Sequence, residues 1–304
     1  MDFTVIIPTY DRPAKLAACL AALASSSYPR ESFEVVVVDD GGSMELGKAI
    51  ASHEFSRLRL LRQQRRGPGA ARNTGAHAAT GRWLAFTDDD CLPEPGWLHA
   101  LAAQLVHDHL RAVGGQTLNH LADNPFSSAS QLLIDYLYAY YNAGGGGEAR
   151  FFTSNNLAVT AAAFHAIGGF DETYTRAASE DREFCSHWLQ RGHRLHYEPA
   201  ARVRHAHLLS PARFWRQHFD YGRGARGYHL ACAARGQGRP SFEPLTFYFA
   251  LIFYPWRCRR QGRLKLSLLL ALTQIAHTAG FFNALLSERV GAGARPGAGL
   301  TPPA

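Results

Sequence analysis

The sequence predicts an α/β protein built on a mostly parallel central sheet, followed by a helical C-terminal extension. Three observations carry this reading. Short β-branched runs alternate with helix-like segments through the first two hundred positions, the pattern of βαβ units. Val35–Val38 is apolar without interruption, as in strands covered on both faces. The runs end in polar or acidic residues, and in such sheets ligands bind outside the carboxyl ends of the strands.

Phe3–Pro8 is the first strand. Pro13–Ala24, rich in Ala and Leu at helical spacing, is the helix that follows. Phe33–Asp39 and Leu58–Arg62 are the second and third strands, Pro68–Ala79 the second helix and Trp83–Thr87 the fourth strand. Beyond residue 95, Pro95–Asp108, Phe126–Tyr141, Ala161–Ile167 and Ser179–Gln190 read as helices, the last with Ser179 as N-cap and an acidic first turn. Phe151–Val159, Arg194–Tyr197 and Ala201–Ala206 read as extended, and Gly144–Gly147 as a flexible loop. Three regions are expected: a catalytic domain over 1–208, a basic and apolar helical region over 209–290, and a disordered Gly/Ala/Pro tail over 291–304.

With 46% apolar and 12% aromatic residues, the 304-residue chain has enough apolar material for a core, which excludes wholesale disorder. Its five cysteines are scattered without a C-x-x-C, against a disulfide framework or cysteine zinc site and in favour of a reducing compartment. The chain enters its first strand without a basic and apolar leader. The net charge is +7, but residues 201–265 hold 13 basic and two acidic residues, leaving 19 basic and 23 acidic elsewhere. The surplus flanks Leu245–Trp256 and Leu264–Leu286, where it suits an anionic membrane surface better than DNA. The second segment is long enough to span a bilayer but carries Gln274, His277, Thr278 and Asn283.

Asp88, Asp89 and Asp90 directly follow the fourth strand. Like charges packed there need a cation, and an oxygen-rich site suits Mg²⁺ or Mn²⁺; the alternative is an acidic turn solvating a strand end. Asp39 at the end of the second strand is placed either to accept a ribose hydroxyl or base N–H, or to form a plain Asp-Gly turn. Gly67–Asn73 opens a helix whose N-terminus suits an anion, with Arg72 adding a bidentate contact. Glu180 and Asp181 start a later helix, where carboxylates also simply favour the dipole. Neither a P-loop nor a Gly-x-Gly-x-x-Gly after the first strand is present.

In order along the chain stand Val5-Ile-Ile-Pro-Thr-Tyr10, Val37-Val-Asp-Asp-Gly41, Gly69-Ala-Ala-Arg-Asn73, Phe86-Thr-Asp-Asp-Asp90, Ser154-Asn-Asn156, Gly168-Gly-Phe-Asp171, Glu180-Asp181 and Val203-Arg-His205. This series, over Phe3 to His205, resembles family 2 glycosyltransferases. The resemblance implies a GT-A-type nucleotide-binding sandwich. It implies that Pro8, Thr9 and Tyr10 contact the nucleotide, that Asp39 reads the base, and that Arg72 lies near base and phosphates. Asp88, Asp89 and Asp90 look like the D-x-D signature, with Asp88 toward the sugar or ribose and Asp90 the metal ligand. His205 completes the metal site, with His207 a nearby competitor, and Asp88 is a further metal candidate. Asp181 is similar to the catalytic base, Glu180 supports it, and Asn155 and Asn156 line the cleft. Trp97 and Trp188 read as core.

The resemblance therefore implies a metal-dependent inverting transferase that moves one sugar from a UDP-, dTDP- or GDP-linked donor to a glycan or lipid-linked acceptor. The cofactor is Mn²⁺ or Mg²⁺; the cysteine pattern and the basic, apolar C-terminal region add the expectation of a cytoplasmic location at the inner face of the membrane. Processive members carry Gln-x-x-Arg-Trp; here Arg216–Ala225 stands nearest and lacks it. A sugar-nucleotide pyrophosphorylase is the alternative enzyme, but Thr9–Pro13 lacks its basic, Gly-rich loop. A nucleic-acid-binding module is the non-enzymatic alternative. No such motif accompanies the basic and aromatic residues of Arg213–Tyr228, so no nucleic-acid partner is expected.

Overall fold

The computed structural model describes residues 1–51, 55–142, 148–176, 178–237, 242–258 and 261–293. The glycine loop expected over 144–147, and all of the expected tail beyond residue 293, lie outside these residues. The strands are β1 (Phe3–Thr9), β2 (Phe33–Asp40), β3 (Leu58–Gln63), β4 (Trp83–Thr87), β5 (Cys91–Pro93), β6 (Arg111–Asn119), β7 (Glu148–Ala149), β8 (Asn156–Thr160) and β9 (Arg194–His205). The helices are α1 (Pro13–Ala24), α2 (Gly47–Ala51), α3 (Pro68–Ala78), α4 (Trp97–Leu105), α5 (Pro125–Tyr141), α6 (Ala161–Ala166), α7 (Glu180–Gln190), α8 (Pro211–Ala234), α9 (Leu245–Cys258) and α10 (Arg263–Gly293).

One mixed sheet runs β3-β2-β1-β4-β8-β6-β9-β5, with β7 added to β9. The β3-β2-β1-β4 half is parallel throughout. Strand β8 is antiparallel to both β4 and β6, while β6 and β9 run parallel to each other. β1, β2, β3, β4, β6 and β9 therefore share one direction, which makes the sheet mostly parallel, as the sequence predicts. Every residue of β2 is buried, as its valine run requires. One apolar cluster, with Leu16, Leu20 and Leu98, covers one face of the sheet; another, with Phe164, Phe170 and Phe184, covers the other.

Strands β5 and β6 were not among the expected elements. The Gly114-Gly115 pair in β6 masks its strand character, because glycine is a poor strand former in isolation. It is needed there: a Cβ on Gly115 would sit 2.0 Å from the Ala201 carbonyl oxygen. The two short strands expected over 194–206 form one strand, β9, whose register shifts opposite Gly115/Gln116. Pro199 and Ala200 fall in that shift, which is why the sequence reads as two pieces.

Helices α8, α9 and α10 pack on α5. Leu132, Tyr136, Phe214, Phe247, Leu251 and Leu270 form their common core. Helices α8 and α10 approach closely at two glycines. A Cβ on Gly222 would lie 1.8 Å from the His277 carbonyl oxygen, and one on Gly280 would lie 1.9 Å from that of Phe219. Residue 222 thus faces 277 and residue 219 faces 280, so the two helices run antiparallel. Gly280→Ala is expected to force them apart and lower stability by about 1–3 kcal/mol, the usual cost of overpacking. A urea midpoint equal to that of the unaltered chain would contradict this packing.

Candidate functional site

The carboxyl ends of β1, β2 and β4 meet at one edge of the sheet, with Thr9 in register with Asp39 and Asp88–Asp90 following β4. A parallel sheet in the order β2-β1-β4 makes this convergence unavoidable. Helix α1 starts at the same edge and brings two cations that the sequence reading did not single out, Arg12 and Lys15.

Each member of the aspartate triplet has a protein cation beside it. Asp88 Oδ1 accepts from Arg72 Nη2 at 2.6 Å. Asp89 accepts from Thr9 Oγ1 at 2.7 Å and from Arg12 Nη1 at 3.2 Å. Asp90 Oδ2 accepts from Lys15 Nζ at 2.9 Å, and its Oδ1 faces His205 Nε2 at 3.2 Å. The compensating positive charge that the triplet calls for is supplied in part by the protein, from Arg12 and Lys15 at the start of α1 and Arg72 of α3. Burial pushes the Asp89 carboxyl up to about 6 despite Arg12. Burial acts the same way on Asp90, but His205 and Lys15 overrule it and hold that carboxyl well below its ordinary range.

The donor set nonetheless fits a divalent ion. Asp90 and His205 offer a carboxylate oxygen and an imidazole nitrogen side by side, from the turn after β4 and from the end of β9. Cys91 Sγ belongs to the same group, with all three donor atoms within 4.8 Å of one another. Burial, then the charges of Asp88 and Asp90, keep the Cys91 thiol far above its ordinary range, hence protonated, which leaves the harder oxygen and nitrogen donors. The His207 ring stacks on that of His205 with centroids 4.0 Å apart. His207 is buried with Nδ1 unpartnered. Burial, with His205 beside it, drives its pKa down to about 3, so it stays neutral.

Arg72 is the hinge of the site. Its guanidinium is buried, with only 3% of the side chain exposed, and it bridges Asp88 and Glu180, the latter at 3.2 Å. The expected free anion site at the start of α3 is not what the structure builds. The first turn of α3 lies against Thr175 and Asp171, and Asn73 clasps the backbone of Phe170 through both ends of its amide. Arg72 therefore points at carboxylates of the protein itself. The Gly168–Asp171 segment serves as the clasp that brings α7 to the strand ends.

The start of α7 also departs from expectation. Ser179 has a left-handed backbone, φ 67°, and its side chain makes no capping hydrogen bond. Glu180 accepts the Ala178 N–H at 2.8 Å, and Asp181 accepts the Arg182 N–H at 2.7 Å. A non-glycine residue in this conformation is strained, and it sits directly before the two carboxylates. Burial, then the adjacent Glu180 charge, raises the Asp181 carboxyl to about 7. Burial also raises Glu180, against the pull of Arg72. Tyr221 of α8 is a further neighbour not singled out beforehand: after burial, the charges of Asp181, Glu180 and both outer aspartates push its hydroxyl up.

Other expected residues separate into two groups. Asp39 is buried, accepts the Gly42 N–H at 2.8 Å and lies 3.6 Å from Arg62 Nε. Pro8 lies on β1 beside Val38, and Tyr10 is exposed under the Arg65 guanidinium, 4.1 Å from its ring centre. These three positions stand at the strand-end edge. Asn155 accepts from Thr117 and Thr153. Asn156 is fully buried, accepting from Trp97 Nε1 and donating to the carbonyls of Gln116 and Ala201. Its amide joins β8 to β6 and β9 rather than facing a cleft. Trp97 and Trp188 are core residues, as expected.

A sequence model of glycosyl transferase family 2 matches residues 4–169. The glycosyltransferase AglE of Haloferax volcanii is 35% identical over 115 residues, 37% of this chain and 38% of the relative. The pre-mycofactocin glycosyltransferase of Mycobacterium tuberculosis is 29% identical over 211 residues, 68% of this chain and 43% of the relative. The chain thus matches less than half the length of either. Among solved structures, the mannosyltransferase PcManGT from Pyrobaculum calidifontis, in complex with GDP-Man and Mn²⁺, superposes with a TM-score of 0.60 at 22% identity, over 96% of this chain and 79% of that one. The TarS fragment 1–349 of S. aureus, in complex with UDP-GlcNAc, gives 0.56 at 16%, over 96% and 92%. Both likenesses are of fold, and that fold is GT-A.

Replacing Arg72 with Met strands two carboxylates and is expected to cost about 3–5 kcal/mol, the usual penalty for breaking a buried ion pair. The denaturant midpoint reads this directly, and a shift under a tenth of that size would remove Arg72 as the hinge.

Proposed function

The chain belongs to glycosyl transferase family 2, and we propose that it moves one sugar, with inversion, from a nucleotide-diphospho-sugar to an acceptor hydroxyl in cell-surface glycan or glycolipid synthesis. The observation that carries this reading is the Arg72 bridge. It joins Asp88, on the nucleotide side of the sheet edge, to Glu180, the neighbour of Asp181. One buried cation thereby sets a donor-side carboxylate and a candidate base on the two sides of one site.

In this reading Asp181 takes the proton of the acceptor hydroxyl as the oxygen attacks the anomeric carbon. The bond from that carbon to the diphosphate breaks, and the diphosphate leaves with the electron pair. Asp181 is suited to the task because burial and Glu180 hold its pKa close to neutral, where a carboxylate is a stronger base than usual. Asp39, Tyr10 and the end of β1 line the edge where a nucleotide base and ribose would lie. Asp90 and His205 would hold Mn²⁺ or Mg²⁺, which supplies positive charge to the departing diphosphate; Asp88, the further metal candidate, is instead bonded to Arg72 and stands outside that donor group. Support for a divalent ion comes from the paired oxygen and nitrogen donors described above, and from the Mn²⁺ named with the Pyrobaculum mannosyltransferase. A UDP-, dTDP- or GDP-linked donor is proposed, GDP-Man and UDP-GlcNAc being the donors named with the two solved relatives. The acceptor is proposed to be a glycan or a lipid-linked sugar, and the location the cytoplasmic face of the membrane. Buried Cys19, Cys91, Cys185 and Cys232 remain thiols, in keeping with a reducing compartment.

Asp181→Asn is expected to lower transfer by roughly 10²–10⁴-fold while leaving donor affinity unchanged. Release of nucleoside diphosphate from a panel of UDP-, dTDP- and GDP-sugars, with binding of the same donors, measures both; undiminished transfer would sink the base assignment. Asp90→Asn is expected to abolish the Mn²⁺-dependent part of donor binding, so equal donor affinity with and without Mn²⁺ in the unaltered protein removes Asp90 as a ligand.

The pH profile follows from the raised carboxyl. A base titrating near 7 is protonated and idle below that pH, so kcat/KM should rise with pH and level off above about 7. Glu180→Gln removes a like charge and should move the rising limb to lower pH. A limb unmoved by that substitution would break the proposed link between the two carboxylates.

A further inference from the structure

Helices α9 and α10 are apolar on the wrong side for a soluble bundle. The side of α10 turned toward α8 and α9 carries small and polar residues as well as leucines: Ser267, Thr273, Ala276 and Gly280 are buried there beside Leu266 and Leu270. Its outer side carries Leu264, Leu268, Ile275, Phe282 and Leu286, each exposed by 53–64%. Helix α9 repeats the arrangement: Phe247, Leu251 and Pro255 point inward, while Leu245, Phe249, Phe253 and Trp256 stand exposed at near-helical spacing. The inner residues of both helices enter one core cluster, and Trp256 Nε1 donates to Ser267 Oγ at 3.1 Å. The two outer stripes therefore lie on the outer side of a single helical pair.

The charge beside these stripes has one sign. Residues 245–287 contain no Asp or Glu, and Arg257 at the end of α9 stands with Arg263 and Lys265 at the start of α10. Arg263 lies over the Trp256 ring, 4.7 Å from its centre. An exposed apolar face this large marks an interaction site. Aromatic and aliphatic side chains rimmed by basic residues suit the boundary of an anionic bilayer.

Arg263–Ser287 is long and apolar enough to cross a membrane, yet the packing argues for another placement. Helix α10 is held antiparallel against α8 through Gly222 and Gly280. Exposed Arg213, Arg216 and Arg223 ride on α8, so a spanning α10 would draw them toward hydrocarbon, where charge is costly. We infer that the α9–α10 pair docks in the plane of an anionic lipid surface through its outer apolar stripes, with Arg257, Arg263 and Lys265 held to acidic headgroups. This inference stands apart from the glycosyltransferase reading and is tested without any sugar substrate.

Flotation of the full chain with phosphatidylcholine vesicles, with and without phosphatidylglycerol, is the experiment. The unaltered protein should float with the acidic vesicles and much less with the neutral ones, and high salt should weaken the difference. Phe249→Ser with Phe253→Ser, both at exposed positions, should reduce flotation roughly 10-fold or more at an unchanged melting temperature. Arg263→Gln with Lys265→Gln should lose chiefly the preference for acidic lipid. Four results would overturn the inference: equal flotation with both vesicle types, unaltered flotation of the phenylalanine variant, resistance to extraction at alkaline pH as a spanning helix shows, or lipid-independent dimers that the phenylalanine changes dissolve while flotation persists. Hydrolysis of donor by water, measured alongside, should be the same in all variants, which keeps a failure of the membrane inference distinct from a failure of the enzymatic one.

Discussion

A buried guanidinium cannot shed its charge, so a protein that encloses one must build anionic partners around it. Arg72 imposes this condition here. It comes from α3, whose first turn is pressed against the 170–175 segment, and it takes Asp88 on one side and Glu180 on the other. Remove it, and the carboxylates at the strand ends and those at the start of α7 lose their common neighbour. Its place in the fold explains why two distant parts of the chain meet at one edge of the sheet. It also explains why Glu180 is buried at all: an isolated carboxylate there would carry an uncompensated desolvation penalty.

The aspartate triplet follows the same logic of internal compensation. Arg72, Arg12 and Lys15 approach it from α3 and α1, so the acidic edge is held in shape by the protein. A divalent ion placed beside Asp90 and His205, as proposed, would meet carboxylates already in position, which limits the reorganisation that binding requires. The contrast with Asp181 is instructive. Burial raises it most, its neighbour Glu180 adds a like charge, and the nearby cations are insufficient to pull its titration down. One lowered carboxyl, Asp90, and three raised ones, Asp89, Glu180 and Asp181, thus arise within a single site from burial and from the distribution of charges around them.

Much of this was legible in the amino-acid sequence because it depends on local pattern. The valine run of β2, the proline-started helices α1 and α3 and the acidic end of β4 all read correctly, since both faces of a parallel strand are apolar and its carboxyl end is polar. Residues whose role depends on tertiary approach were not legible. Arg12 and Lys15 look like surface charges in sequence; only the β2-β1-β4 order turns the start of α1 toward Asp89 and Asp90. A signal was available in retrospect, since a basic residue in the first turn after β1 must lie near whichever strand pairs with β1. Asn156 looks like a cleft residue by its motif, but the Gly115 approach and the β9 register shift absorb its amide. Ser179 looks like a helix cap by residue type, yet its left-handed backbone aims the side chain elsewhere. The strand β6 was hidden by the very glycines that let β8 and β9 close on it.

The Arg72 bridge also fixes an order of events along the growing chain. The partner on one side, Asp88, lies 16 residues away, while the partner on the other, Glu180, lies 108 residues away. During synthesis the arginine and the strand-end aspartate emerge almost together, and both must wait for Glu180 to leave the ribosome. Contacts of large sequence separation are the slow ones to form. A nascent chain can therefore complete the strand-end edge long before it holds the α7 carboxylates, and the two halves of the site are born separately in time although they share a single side chain in space.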